Sequence, residues 1–432
     1  MDNIEYLTKK GESLKKNKNL NSLPLFFTEK ELDELSKKAI AIVGTNGKTS
    51  TANHIFQYFV KADISVCRFT SPHLVQVNER IQTNSGLIKD KELSMYLDEV
   101  RKFEKREGLF LGYFEALFLI SCKYFLDMEL DIFIVEAGIG GRLDTTSIIN
   151  SENVVLTNVG YDHTEILGES LEEILIEKIN ISSRVKNFFS GDIFTELDFG
   201  DLIRKELGLS LNNESSPKSW GGYFISDVIE QDYINPLYTM DLGFLDYNDS
   251  LALRVFGTLV IQRGLESKIG AYPYSDYPDT PTSPEAVRDH MHDVGHESGR
   301  YEIIHSNEKT FKIIDGAHNT FAIHALNMLL NNQFRPEDFP KVECFFGMKT
   351  GKDYKGILDV FVEPVVERSY GFSLIEDHTF RDQMNPEIIA EYLTGLGVKY
   401  KHASLEDFHL YNEPCILLGS LYLVGEYKKE YQ

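Results

Sequence analysis

The segment AIAIVGTNGKTSTANHIF, residues 39–56, limits the folds open to this chain. Ala39–Val43 is an uninterrupted apolar run, as expected of a parallel strand covered on both faces. Gly44-Thr45-Asn46-Gly47-Lys48-Thr49 follows. Beyond it Ala52, Ile55, Phe56, Phe59 and Val60 recur at spacings of three and four, the period of a helix. Asn-Gly between apolar segments is also the strongest short signal for a β-hairpin. The helical period argues against a hairpin. Strand, glycine loop and helix is the order that aims bare backbone N–H groups and a helix N-terminus at an anion. The usual pattern G-x-x-x-x-G-K-[ST] is not met, since its first glycine would fall on Ile42. The sequence predicts a shortened phosphate-binding loop.

A chain of 432 residues exceeds one ordinary core, and two or three domains are expected. It is 42% hydrophobic and 26% charged, as globular proteins are. Its net charge is −23, from 67 acidic and 44 basic residues. That balance argues against a nucleic-acid binder, and an acidic chain that holds polyphosphate must gather its cations, or a metal, in one cleft. The N-terminus MDNIEYLTKKGESLKK lacks a signal-peptide core, and no apolar stretch reaches the ~20 residues of a membrane span. Cys67, Cys122, Cys344 and Cys415 show no metal or redox spacing and suit buried thiols in a reducing compartment. A cytoplasmic protein is expected, with neither membrane nor nucleic acid as partner.

Strands are expected at Ala39–Val43, Ser65–Phe69, Ile132–Val135 and Val154–Thr157, alternating with helices such as Lys91–Lys105 and Phe114–Leu126. That alternation reads as α/β with a mainly parallel sheet. Four of the chain's 13 prolines then fall between Pro273 and Pro284, which marks residues 268–296 as a linker or insertion. His290, His292 and His296 lie within it, and histidines in such an Asp-rich loop are more often solvated than metal-bound; no site is assigned to them. A domain boundary is placed near residue 297. Beyond it YEIIHSNEKTFKIID reads as two strands, AIHALNMLLNN as a helix, and CILLGSLYLVGE as a strand and turn.

Ligands of open α/β sheets bind beyond the carboxyl ends of the strands, and polar residues gather there. Lys48 can neutralise phosphate oxygens, and Thr49 and Ser50 offer hydroxyls to phosphate or to magnesium. Glu136 ends the strand before AGIGGRLDTT; as a buried carboxylate it needs a cation, either magnesium or a salt-bridge partner, unless it serves as an N-cap. Asp162 and His163 follow the next strand, Ser71 and His73 follow Phe69, and FKIIDGAHNT brings Asp315, His318 and Asn319 to a strand end. No G-x-S-x-G elbow and no G-x-G-x-x-G after a strand is present, so acyl-enzyme and dinucleotide chemistry lack support.

GTNGKTS, TSPHL with NERI, FEAL, VEAGIGGRLDTT, TNVGYDHTEILG, the Glu177-Lys178 pair, GRYEI, DGAHN and GSLYLVGE occur in that order from residue 39 to 426. Together they resemble the folylpolyglutamate synthase/dihydrofolate synthase family of the Mur ligase superfamily. The resemblance implies a mainly parallel-sheet, Mur-ligase-type ATPase domain over 1–296 and a smaller Rossmann-like α/β glutamate-ligase domain over 297–432. It implies an ATP-dependent amide ligase, in which a pterin-bearing carboxylate becomes an acyl phosphate that L-glutamate displaces. The acceptor would be dihydropteroate, a folate or both, and the chain a monomer. Single-activity, other-acceptor and non-catalytic ATP-binding members stay open.

By the resemblance Gly47, Lys48, Thr49, Ser50, Asn248, Arg300 and Asp315 would bind ATP. Ser71, Glu136 and His163 would hold Mg2+, and Lys178 matches a lysine that family members carry as a carbamate. Lys48, Lys178 and His318 would be catalytic; Phe114, Glu115, Leu143, Asp144 and Thr145 would meet the pterin substrate. The family usually reads GKG[ST] where this chain has Lys48-Thr49, which adds Thr49 to the candidate magnesium ligands. INISS replaces the usual AGI after Lys178, and between residues 181 and 296 only YNDSLAL, with Asn248, matches.

Overall fold

A computed structural model of the chain describes residues 6–7, 20–190, 199–208, 224–226, 244–265, 298–307, 309–362, 368–376, 380 and 382–432. The linker histidines His290, His292 and His296 lie outside these residues. The chain divides into two compact units, Met1–Pro72 with Val77–Val294 and His73–Gln76 with Gly295–Gln432.

In the first unit the strands are β1 (Ala39–Val43), β2 (Val66–Phe69), β3 (Ile81–Thr83), β4 (Gly86–Leu87), β5 (Ile132–Glu136), β6 (Asn153–Leu156), β7 (Asn187–Ser190) and β8 (Phe224–Ser226). They form one sheet in the order β4-β3-β2-β5-β1-β6-β7-β8. Pairing from β2 through β7 is parallel, and β3, β4 and β8 are antiparallel additions at the edges. The apolar run of β1 is buried throughout. Strand alternation splits it between two cores. Ile40 and Ile42 pack with Ile55, Phe56 and Phe59 of the helix Lys48–Lys61, while Ala41 and Val43 pack with Ile174 and Leu175 of the helix Leu171–Ile179. No hairpin forms at Asn46-Gly47, because a helix begins at Lys48.

Helices expected at Lys91–Lys105 and Phe114–Leu126 span Asp90–Glu107 and Tyr113–Asp127. Their apolar faces build a third core with Phe69, Phe133 and Val135, in which the Phe125 and Phe133 rings stack at 4.8 Å. Among the described residues no helix is long and apolar enough to cross a membrane. All four cysteines are buried, free thiols.

The second unit has β9 (Glu302–Ser306), β10 (Phe311–Ile314), β11 (Lys341–Phe346), β12 (Ser369–Ile375), β13 (Tyr400–Ala403) and β14 (Cys415–Leu418), in the order β13-β12-β11-β14-β10-β9. Only β9 pairs antiparallel. Here one expectation is corrected. CILLGSLYLVGE contains the expected strand, β14, but not the expected turn: after β14, Ser420 caps a helix, Leu421–Tyr431, by accepting the Tyr422 N–H at 3.2 Å. Leu423, Val424 and Tyr427 lie on its buried face and join the core of this unit, which a turn would leave exposed.

Gly425 of that helix passes the segment His73–Gln76 so closely that a Cβ would lie 2.2 Å from the Leu74 carbonyl oxygen. Gly425→Ala must therefore push backbone from backbone, and should lower stability by about 2–3 kcal/mol in denaturant unfolding. Gly395, at the end of the helix Pro386–Gly395, has nothing within 4 Å of its missing Cβ, and Gly395→Ala should be neutral or stabilising by up to about 1 kcal/mol.

Candidate active site

Because β2, β5, β1 and β6 are adjacent and parallel, the loops that follow them share one edge of the sheet. The loop after β1 is held by the loop after β6. Thr45 N–H donates to the Asn158 carbonyl at 3.1 Å, Asn46 N–H to Asn158 Oδ1 at 3.0 Å, and Thr157 Oγ1 to the Asn46 carbonyl at 2.6 Å. Gly44 has φ +151°, and a Cβ there would lie 1.9 Å from Thr157 Oγ1. Gly47 takes the left-handed conformation, φ +79°, as N-cap of Lys48–Lys61 and supplies no side-chain cap. A helix N-terminus that opens on glycine lets backbone N–H groups approach an anion closely. Lys48 Nζ reaches back to the carbonyls of Gly44 and Thr45, at 2.9 and 3.1 Å.

Glu136, the last residue of β5, is buried at the centre of this edge. Its Oε1 accepts from Thr49 Oγ1 at 2.8 Å and its Oε2 from the Ser71 N–H at 3.0 Å. Residues from three separate motifs therefore meet on one carboxylate. Both donors are neutral, and carboxylate with hydroxyl oxygen is the hard donor set that suits a divalent cation bound with phosphate. His163 starts the short helix Thr164–Leu167 with φ 51°; its ring lies 3.8 Å from Asp162 Oδ1 and 3.7 Å from Glu165 Oε1.

Lys178 is buried, and its Nζ donates to the Gly44 carbonyl at 2.9 Å, so the helix Leu171–Ile179 touches the glycine loop after β1. Burial, with the neighbouring Lys48 charge, brings its ammonium down to about 7. Glu177 beside it has no site role by sequence pattern alone. It accepts the Leu143 N–H at 2.9 Å and Arg142 Nε at 3.1 Å, fastening the loop after β5 to the same helix. Gly141 permits that approach, since a Cβ would lie 2.2 Å from the Lys178 carbonyl oxygen.

The residues matched to the pterin side divide by role. Asp144 is buried and shapes its own loop, accepting from Ile139 N–H, Thr146 N–H and Thr146 Oγ1 at 3.1, 3.0 and 2.7 Å. Thr145 is buried beside it, and Glu115 caps its helix by accepting the Gly112 N–H at 2.7 Å. Phe114 packs on Phe69 and lies against Gly138 of the same loop, whereas the Leu143 side chain is half exposed. Phe114 and Leu143 are the members of this set that offer apolar surface.

Asn248 lies in the helix Phe244–Gln262, with Oδ1 accepting from Thr51 Oγ1 at 3.2 Å. In the second unit Asp315 follows β10, half-buried, with Oδ2 taking the Tyr301 N–H and Oδ1 the Ala317 N–H, both at 2.6 Å. Burial pushes its carboxyl up, against the opposing charge of Arg300 and those two hydrogen bonds. His318 Nδ1 is 2.8 Å from the Gly316 carbonyl, so Nδ1 carries the proton.

The shift of Lys178, from an ordinary 10.5 to about 7, makes a stability prediction. Between those values only the unfolded chain holds the proton, so this group makes stability rise with pH from about 7 to 10.5. In buffer free of carbon dioxide, unfolding by urea at pH 7 and pH 9 should show wild type gaining on the order of 2 kcal/mol relative to Lys178→Met. Parallel pH profiles would show the amine to be solvated.

No protein-family model matches the chain. The dihydrofolate synthase/folylpolyglutamate synthase of Buchnera aphidicola subsp. Acyrthosiphon pisum is 34% identical over 178 residues, 40% of this chain and 43% of that one. The protein of the same name from Bacillus subtilis is 25% identical over 403 residues, 91% of this chain and 90% of that one. Among solved structures, E. coli FolC in complex with ADP, without folate substrate, has a TM-score of 0.73 at 21% identity, covering 99% of this chain and 97% of that one. The bifunctional enzyme of Yersinia pestis complexed with AMPPNP and Mn ion has a TM-score of 0.69 at 23% identity, covering 100% and 98%. These structures show a shared fold. With its motifs in family order, the chain is similar along most of its length to curated members of the folylpolyglutamate synthase/dihydrofolate synthase family.

Proposed function

We propose that this protein is an ATP-dependent ligase that joins L-glutamate to the carboxylate of dihydropteroate, of a reduced folate, or of both. The observation that carries the reading is the meeting of Thr49, Ser71 and Glu136 beside the Gly44–Lys48 loop. In the reaction, a substrate carboxylate oxygen attacks the γ-phosphorus and ADP leaves. The glutamate amine then attacks the acyl carbon, loses a proton, and phosphate leaves.

The residues have distinct parts in this. Gly47, Lys48, Thr49 and Ser50 hold the phosphates through backbone N–H groups, hydroxyls and one ammonium. Swinging from the loop carbonyls to phosphate exchanges two neutral acceptors for a charged one, a stronger hydrogen bond. Glu136, Ser71, Thr49 and His163 would hold magnesium, which when bound neutralises charge on the transferring phosphoryl group. Lys178, buried and with its ammonium lowered to about 7, has at neutral pH a large share of the uncharged amine that carbamate formation with carbon dioxide requires. Phe114 and Leu143 offer the pterin an apolar surface, while Glu115, Asp144 and Thr145 keep that loop in shape. In the second unit, Arg300 and Asp315 are assigned to ATP and His318 to the reacting groups by the resemblance. Placement in the cytoplasm as a monomer completes the proposal.

Phosphate release from Mg-ATP and L-glutamate tests it, with dihydropteroate in one series and tetrahydrofolate in another. Release in both, with glutamylated products by mass, supports the bifunctional enzyme, and release in one names the single activity. No release in either, despite ATP binding, moves the reading to another acceptor or to a non-catalytic member. Glu136→Ala should lower turnover by on the order of 100-fold or more while the far-ultraviolet circular dichroism stays that of wild type. A near-normal rate in that variant removes Glu136 from the site.

A further inference from the structure

Three successive turns of the helix Lys48–Lys61 present Thr51, His54 and Tyr58 along one buried stripe. All three meet two adjacent residues of the helix Phe244–Gln262. Thr51 Oγ1 donates to Asn248 Oδ1 at 3.2 Å, His54 Nδ1 lies 2.9 Å from Asp249 Oδ1, and Tyr58 OH donates to the same oxygen at 2.6 Å. Asp249 is buried with its partners, so it is a costly group to keep unless it fixes something.

What it fixes lies one residue away. The Asn248 amide sits directly over Gly47: a Cβ on that glycine would be 2.6 Å from Oδ1 and 3.2 Å from Nδ2. Asn248 is 4% exposed, and its Nδ2 has no hydrogen-bond partner. A buried donor without an acceptor costs about 1–3 kcal/mol, and such groups in native structures call for an explanation. An oxygen of the nucleotide held by the loop supplies the missing acceptor.

We infer that Asp249, with His54 and Tyr58, is a positioning cluster that holds the Asn248 amide over the phosphate loop so that Nδ2 can donate to bound nucleotide. The helix that starts at Gly47 thereby carries both the phosphate-binding backbone and the anchor for a donor brought from elsewhere in the chain. The inference rests on the nucleotide reading of this loop. Asp249 and its partners touch no ligand themselves; they act through Asn248.

The test is a double-mutant cycle on full-length protein: wild type, Tyr58→Phe, Asn248→Ala and the double variant. Mg-ADP affinity is measured by calorimetry, and thermal midpoints are measured in parallel. Tyr58→Phe removes one hydroxyl and keeps the ring, and it should weaken Mg-ADP binding by about fivefold, the worth of one hydrogen bond. In the Asn248→Ala background the same change should leave affinity unaltered while still lowering the thermal midpoint, because the residue through which it acts is gone. An equal loss of affinity in both backgrounds, or no loss in either, overturns the positioning role. A wild-type chain that binds no Mg-ADP overturns the nucleotide reading, and the inference with it. If Tyr58→Phe fails to fold, Asp249→Asn, which retains an acceptor oxygen, takes its place in the cycle with the same expected pattern.

Discussion

Parallel pairing of β1 between β5 and β6 is the constraint on which the rest of the first unit depends. Its register sets Ile42 beside Glu136 and Val43 beside Leu156. The ladder continues one step beyond the strands, where Ala137 N–H bonds to the Ile42 carbonyl and Thr157 N–H to the Val43 carbonyl. Three chain segments therefore leave the sheet at one level, and the Gly44–Lys48 loop, the Glu136 carboxylate and the Thr157-Asn158 clasp are neighbours. Slipping β5 by one residue would turn Glu136 to the other face of the sheet.

That edge collects groups that folding alone would disfavour. Glu136 and Lys178 are buried, Gly44 and Gly47 hold backbone conformations that side chains resist, and Asn248 Nδ2 lacks an acceptor. Each is a local cost, and together they fall where the chain is read as meeting an anion and a metal. The apolar packing of β1 against helices on both faces offsets that cost with ordinary hydrophobic burial. The second unit uses a similar device, with Asp315 half-buried at the end of β10 and held by two backbone N–H groups.

Much of this was legible beforehand. The run Ala39–Val43 and the helical period after Thr49 declared a strand and a helix, and polar residues after each apolar run fall together at one sheet edge, where the candidate site lies. GSLYLVGE misled because Gly-Ser suggests a turn, whereas the burial of Leu423, Val424 and Tyr427 makes the following residues a helix. The role of Glu177 is not legible in local pattern, because its partners, Arg142 and Leu143, lie more than thirty residues earlier. Asp249, His54 and Tyr58 carried no signal, since a buried polar cluster becomes visible only when two helices are laid together.

The sequence by itself determined most element types, the glycine loop between β1 and the helix after it, the residues that end each strand, and the likeness to the family. Periodicity and local motif are properties of neighbouring residues. Tertiary structure alone decided that Thr49 and Ser71 would share one carboxylate, that Lys178 would be buried against Gly44, and that Asn248 would lie over Gly47. Those contacts join residues far apart in the chain, and they are fixed by strand order, register and helix packing, which local pattern does not carry.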